Sequence, residues 1–224
     1  MRVLIVALTC IGLLGCADDT DAVAPIDATV EITATGCRNT LGRGIGTIIA
    51  PGLILTSAHT LAGATDITIE HRDSTVAAHL VAFDPEMDLA IVGIDPSTTA
   101  DVVAITNNPL STVDAPETTG TIIVRRGDRL LTMPATIVRR VEITTDDIYG
   151  DTSVKRPGYE LRANIEPGDS GALLIVAGEG VAVIWSRSRR TDERAWAIDP
   201  VRAGENIRAQ LADGIPNTID RERC

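Results

Sequence analysis

Short runs of Val, Ile, Thr, Leu and Ala recur along most of this chain, each broken after a few residues by Gly, Pro, Asn or Asp. Runs of that length and composition predict strands, because β-branched side chains pack well on a pleated surface and the breaking residues favour turns. The clearest pair is Gly46-Thr47-Ile48-Ile49-Ala50 and Leu53-Ile54-Leu55-Thr56, joined by the turn dipeptide Pro51-Gly52. The same reading predicts strands over Ala28–Ala34, Asp66–Glu70, Thr75–Phe83, Leu89–Ile94, Gly120–Val124, Leu130–Val141, Tyr159–Ala163, Ala172–Val176, Gly180–Trp185 and Ala195–Ile198. One helix is expected, Pro200–Ala212, which carries Val201, Ile207 and Leu211 among charged residues and stops at Gly214. Many short strands at regular spacing suit a sandwich or a barrel. The polar stretch Asn107–Glu117 divides them into two β halves.

Before the first strand the pattern changes. Met1-Arg2 is basic, and Val3 to Leu14 is apolar but too short for a stable transmembrane helix. The run ends in Leu13-Leu14-Gly15-Cys16, which resembles a bacterial lipobox, so residues 1–15 are expected to be a signal peptide and Cys16 to carry a lipid. An ordinary secretory signal cut nearby is the alternative, and either one exports the protein. Residues 16–27 are acidic and poor in apolar side chains, as suits a tether.

Composition narrows the function. The formal net charge of −11 argues against a nucleic-acid partner, which needs a basic face, and leaves the lipid as the expected membrane contact. With one Phe, two Trp and two Tyr in 224 residues, the core must be built from Val, Ile, Leu and Ala. Of four cysteines, Cys10 leaves with the signal and Cys16 is the lipid site, so Cys37 and Cys224 remain. One thiol near the start of the folded region and one at the last residue, in an oxidising compartment, suggest a disulfide, two free thiols being the alternative. No metal-ligand spacing is present, and no cofactor is expected.

Three short motifs carry the chemistry: Thr56-Ser57-Ala58-His59, Asp88-Leu89-Ala90-Ile91-Val92 and Gly168-Asp169-Ser170-Gly171. A serine hydroxyl is a weak nucleophile until a base takes its proton. His59 can be that base, and Asp88 can hold the imidazole in one tautomer. The glycines keep Cβ atoms away from an incoming carbonyl, so the N–H groups of Gly168 and Ser170 can form an oxyanion hole. Each motif alone has an ordinary structural reading: a strand-end histidine, a solvated carboxylate, a glycine turn. Their conjunction supports nucleophilic acyl transfer. His71 and His79 stand among polar or alternating residues and read as surface or structural.

Taken in that order, the motifs resemble those of the chymotrypsin-fold, trypsin-like serine proteases. Asp147-Ile148-Tyr149-Gly150, Tyr159-Glu160-Leu161-Arg162-Ala163 and Pro167-Gly168-Asp169-Ser170 are further similar to the periplasmic serine proteases of the MarP type. The resemblance implies an all-β fold of two six-stranded antiparallel barrels with a C-terminal helix. It also implies pairing of Cys37 with Cys224. The protease domain is expected over residues 28–224, with barrels at about 28–106 and 118–199 and the helix at about 200–213. By the same resemblance Asn164 lies near the floor of a specificity pocket, and Trp185, Ser186 and Arg187 line the substrate cleft. A neutral floor predicts small or medium apolar residues before the scissile bond. Two departures stand out: Ala172 where a second glycine is usual, and Ser186 or Arg187 where the cleft strand usually has glycine. Asp169 lacks the freed N-terminal amine that its counterparts bind, so it is expected to bond locally to backbone or Arg. Arg187 to Arg194 is expected to be a solvated hairpin loop.

The expected protein is thus an exported, lipid-anchored, monomeric serine endopeptidase of the cell envelope, periplasmic or cell-surface, acting on peptide or protein substrates. The alternative is a catalytically weak protease fold that binds peptides, or a triad that cleaves esters.

Overall fold

The β-branched runs form the strands they predict, and each set of six closes into a barrel. The computed structural model describes residues 26–37, 41–99 and 110–213. In the first barrel β1 (Thr29–Gly36), β2 (Gly42–Ala50), β3 (Leu53–Thr56), β4 (Ala64–His71), β5 (Ser74–Asp84) and β6 (Leu89–Gly93) run in the order β1-β2-β3-β6-β5-β4, with β4 returning to β1. The second comprises β7 (Thr118–Arg126), β8 (Arg129–Asp146), β9 (Ser153–Arg162), β10 (Leu173–Val176), β11 (Glu179–Arg187) and β12 (Arg194–Ile198), in the order β10-β11-β12-β9-β8-β7. Every pairing is antiparallel.

Closure matters for a chain so rich in strands, since an open barrel would leave two unpaired edges. The interiors are aliphatic. Ile32, Ile48, Ile54, Ile69 and Ile91 fill the first barrel, and Ile122, Ile137, Leu161, Leu174 and Ile184 the second. β8 and β9 run past their expected ends as a ribbon, paired from Glu142 with Pro157 out to Asp146 with Ser153. Polar residues dominate there, so hydrophobic patterning did not mark it.

The expected single helix is two. Asp199 caps α1 (Pro200–Ala203) by accepting from Val201 N and Arg202 N, and Gly204 ends it before α2 (Glu205–Asp213). Ile207 is buried and Leu211 is exposed. Gln210 fastens α2 to β5, where its amide accepts from Phe83 N at 2.8 Å and donates to Phe83 O at 3.1 Å. β4 pairs with β5 only up to Ala78, so this stretch of β5 has an edge free for the glutamine. The expected break between halves falls partly outside the described residues. Its later part is tied down: Ser111 N donates to Gly180 O, and Thr112 donates to the buried Asp199. Tyr159 joins the same network, donating to Asp199 at 3.1 Å and accepting from Val113 N at 3.0 Å. The signal segment, Cys16 and Cys224 lie outside the described residues.

Candidate active site

β3 ends at Thr56, whose hydroxyl donates to Ile45 O on β2 at 2.8 Å. The chain then makes one 3-10 turn, Ala58–Thr60, and His59 stands on it. So short a turn has no hydrophobic period, which is why the motif rather than the pattern found it. Asp88 comes from the turn between β5 and β6. There Asp84 Oδ1 accepts from Glu86 N at 3.0 Å and Met87 N at 2.9 Å, reversing the chain. Asp88 itself adopts a left-handed backbone, with φ of 57°.

The carboxylate of Asp88 is 1% exposed and both its oxygens face His59. Oδ1 accepts from the His59 backbone N–H at 2.7 Å, and Oδ2 lies 2.8 Å from Nδ1. The Asp88 carbonyl also accepts from Ala58 N at 3.2 Å. A carboxylate against Nδ1 keeps the proton there and leaves Nε2 as the accepting nitrogen. The histidine side chain is 33% exposed.

Ser170 lies on a tight turn before β10. Asp169 N donates to Glu166 O and Ala172 N to Asp169 O, both at 3.1 Å. The turn is pressed onto the first barrel: Ile45 N donates to Ser170 O at 2.8 Å. A Cβ on Gly171, whose φ is 88°, would sit 2.1 Å from Ile45 O and 2.4 Å from Thr56 Oγ1. A Cβ on Gly44 would lie 2.8 Å from both Ser170 O and Thr60 Oγ1. The serine turn and the histidine turn are therefore in direct apposition, and glycine at 44 and 171 is what permits it. Gly168 and Ser170 donate no backbone hydrogen bond among the described residues, which leaves both N–H groups available to a ligand.

Asp169 is buried, and its partner is Arg126 at the end of β7. Arg126 Nη1 donates to Oδ1 at 2.6 Å, Nη2 to Oδ2 at 2.9 Å, and Glu166 N adds a bond at 2.8 Å. The same guanidinium donates to Asn164 O at 3.3 Å and pairs with Glu166 at 3.2 Å. These partners push the Arg126 pKa up, the Asp169 hydrogen bonds most. The local bonding expected for Asp169 is what the structure has. Sequence reasoning did not choose this arginine, since Arg125-Arg126-Gly127-Asp128-Arg129 reads as a charged hairpin tip; the one available signal was a GDSG aspartate in need of a cation.

The specificity residues are more scattered. Asn164 is exposed, and its carbonyl accepts from Arg126 Nη2. Trp185 is half-buried at a bulge in β11 and lies under the Arg156 guanidinium. Ser186 is half-buried and Arg187 exposed. Residues 188–193 form the expected solvated loop. Ala172, the first departure, is fully buried in the second core, so its methyl packs inward. His71 bonds Asp27 O at 2.8 Å and His79 is exposed, away from the site. Among the described residues no three of His, Cys, Asp and Glu gather closely enough for a metal ion.

Residues 44–183 match the family described as the trypsin-like peptidase domain. The chain is 30% identical over 197 residues to the serine protease Rv3671c of Mycobacterium tuberculosis, and the match spans 85% of this chain and 46% of that protein. The chain thus spans about half the length of the curated relatives it matches. The crystal structure of the Rv3671c protease in its active form superposes with a TM-score of 0.69 at 26% identity, covering 87% of this chain and 83% of that one. The HtrA-type protease AlgW with a tripeptide gives a TM-score of 0.70 at 23% identity, covering 84% and 62%, a likeness of fold.

Proposed function

Since the chain belongs to the trypsin-like peptidase family, we propose that it is a serine endopeptidase whose nucleophile is Ser170, base Nε2 of His59 and orienting carboxylate Asp88. The observation that carries the reading is the two-point grip of buried Asp88 on His59, with the Ser170 turn set against the same segment. In this mechanism Ser170 Oγ attacks the scissile carbonyl as its proton passes to His59 Nε2. The Gly168 and Ser170 N–H groups take the oxyanion, worth about 3–4 kcal/mol of barrier per donor. Collapse expels the amine, which receives the proton from His59, and water then frees the acyl group by the same route. Asp88 holds the ring in place throughout and stabilises the imidazolium. Activity should fall on the acid side of neutrality as the imidazole takes up its proton.

The test is labelling with a fluorophosphonate and reading intact mass beside Ser170→Ala. One adduct on the parent protein and none on the variant is expected. No adduct on folded parent protein overturns the reading and leaves a peptide-binding module. The motif at Cys16 supports an exported protein held to the envelope by lipid. Incorporation of a fatty-acid analogue that survives Cys16→Ser would refute that anchor. Cys37, whose N–H donates to Gly63 O at 3.1 Å at the end of β1, is proposed to pair with Cys224. The expected substrate is a peptide or protein bound by a monomer.

A further inference from the structure

Arg156 on β9 is 1% exposed, a rare position for a guanidinium, which is seldom buried without a carboxylate. Its contacts among the described residues are two carbonyls and a ring. Nε donates to Glu86 O at 2.6 Å and Nη2 to Pro85 O at 3.4 Å. On its other side the guanidinium carbon stands 5.0 Å from the centroid of Trp185, within cation–π range. Pro85 and Glu86 belong to the turn that ends in Asp88. Asp84 secures that turn through Glu86 N and Met87 N, and the chain at Ile148 through Pro85 O at 3.1 Å. Arg156 adds a side-chain restraint on the Glu86 carbonyl, and like Ile148 it does so from the other half of the chain. Burial lowers its pKa, and the charges of Asp88, Asp84 and Asp147 act against that, so the cation lies in the field of the Asp88 carboxylate.

An apolar residue would fill this space as well and avoid burying a charge. It would leave the Glu86 carbonyl without its donor. A lysine keeps the charge but has no planar fork to satisfy two carbonyls while stacking on an indole. The residue type therefore fits a demand for direction rather than for volume.

We propose that Arg156 is a positioning residue for the His59–Asp88 pair: it fixes the turn that presents Asp88 and registers it, through Trp185, against β11 beside Ser170. The inference rests on the proposed triad, and it deepens that reading. A misplacement of Asp88 leaves the substrate cleft intact but spoils the base, so kcat carries the effect and KM does not.

The experiment compares the full chain with Arg156→Met and Arg156→Lys. Turnover of an acylated peptide ester gives kcat and KM. The downfield proton resonance of the carboxylate-bonded imidazole N–H reports the pair without turnover. Arg156→Met is expected to lose kcat about 100-fold, the scale of a small misplacement in an active site, with KM within about twofold. Its downfield resonance should broaden or vanish, and Arg156→Lys should restore part of both. A rise in KM alone, or a loss of thermal stability with resonance and kcat intact, overturns the proposal. If Arg156→Met fails to fold, Arg156→Lys decides it, an unchanged resonance and kcat again overturning it. If the parent protein shows the resonance but no turnover, the proposed function fails. The effect of the variants on the resonance still judges Arg156.

Discussion

Arg126 shows how one side chain can satisfy a buried carboxylate beside the proposed nucleophile. Its fork closes on both oxygens of Asp169, the residue between the two proposed oxyanion donors. Arg126→Met leaves a buried carboxylate with only the Glu166 N–H. The turn should then lose its set, and kcat should drop up to about 100-fold, as when an oxyanion donor is lost. Fluorophosphonate labelling rates check this, and an unchanged rate would mean that the turn holds itself. Tyr159 offers a second case. Burial is the main cause that raises its pKa above the ordinary 10.0, so the folded state favours the neutral phenol. That contribution is complete below pH 10.0, the unfolded value, and is lost as the pH climbs through the raised folded value. Alkaline unfolding followed by circular dichroism should begin at a lower stability in Tyr159→Phe, yet show a shallower fall above pH 10.0. A parallel pair of curves would dismiss the tyrosine as the cause. Neither role was legible at the level of motifs, because Arg126 and Tyr159 are defined by partners 43 and 40 residues away.

At the scale of elements, the strands were legible almost throughout, since a buried face imposes alternation or a continuous aliphatic run that any closed barrel must repeat. What escaped was short or locally polar: the 3-10 turn bearing His59, the β8–β9 ribbon and the split at Gly204. The meeting of two turns is also an element-level fact. Gly171→Ala forces a methyl to 2.1 Å from the Ile45 carbonyl and keeps a left-handed backbone. It should cost about 1–3 kcal/mol from strain alone and detach the serine turn from β2. Urea denaturation gives the first effect and labelling the second. Normal labelling in Gly171→Ala would show that the apposition is not needed.

For the whole molecule, Ile45 N on Ser170 O, Ile148 N on Pro85 O and Arg156 on Glu86 O tie one barrel to the other. Arg125 also bridges the two barrels, pairing with half-buried Glu31 and with exposed Glu70 at 3.3 Å, and ion pairs that solvent reaches, as at Glu70, contribute about 1 kcal/mol or less. The proposed Cys37–Cys224 link would do more, since closing so long a loop stabilises by about 5 kcal/mol on the chain-entropy view. Adding reductant should therefore lower the urea midpoint of the parent protein and leave Cys37→Ser unaffected. Equal midpoints with and without reductant would remove the disulfide from the account.

The sequence by itself determined the β architecture, the line of His, Asp and Ser motifs, and the need of Asp169 for a local partner, because each is a matter of local propensity or of residue chemistry. Only the tertiary structure decided which cation answers Asp169, that Arg156 is buried beside the Asp88 turn, and that Asn164 faces outward. Those outcomes depend on barrel closure and on the contact between two barrels. Such contacts join residues tens of positions apart, and no short-range pattern records them.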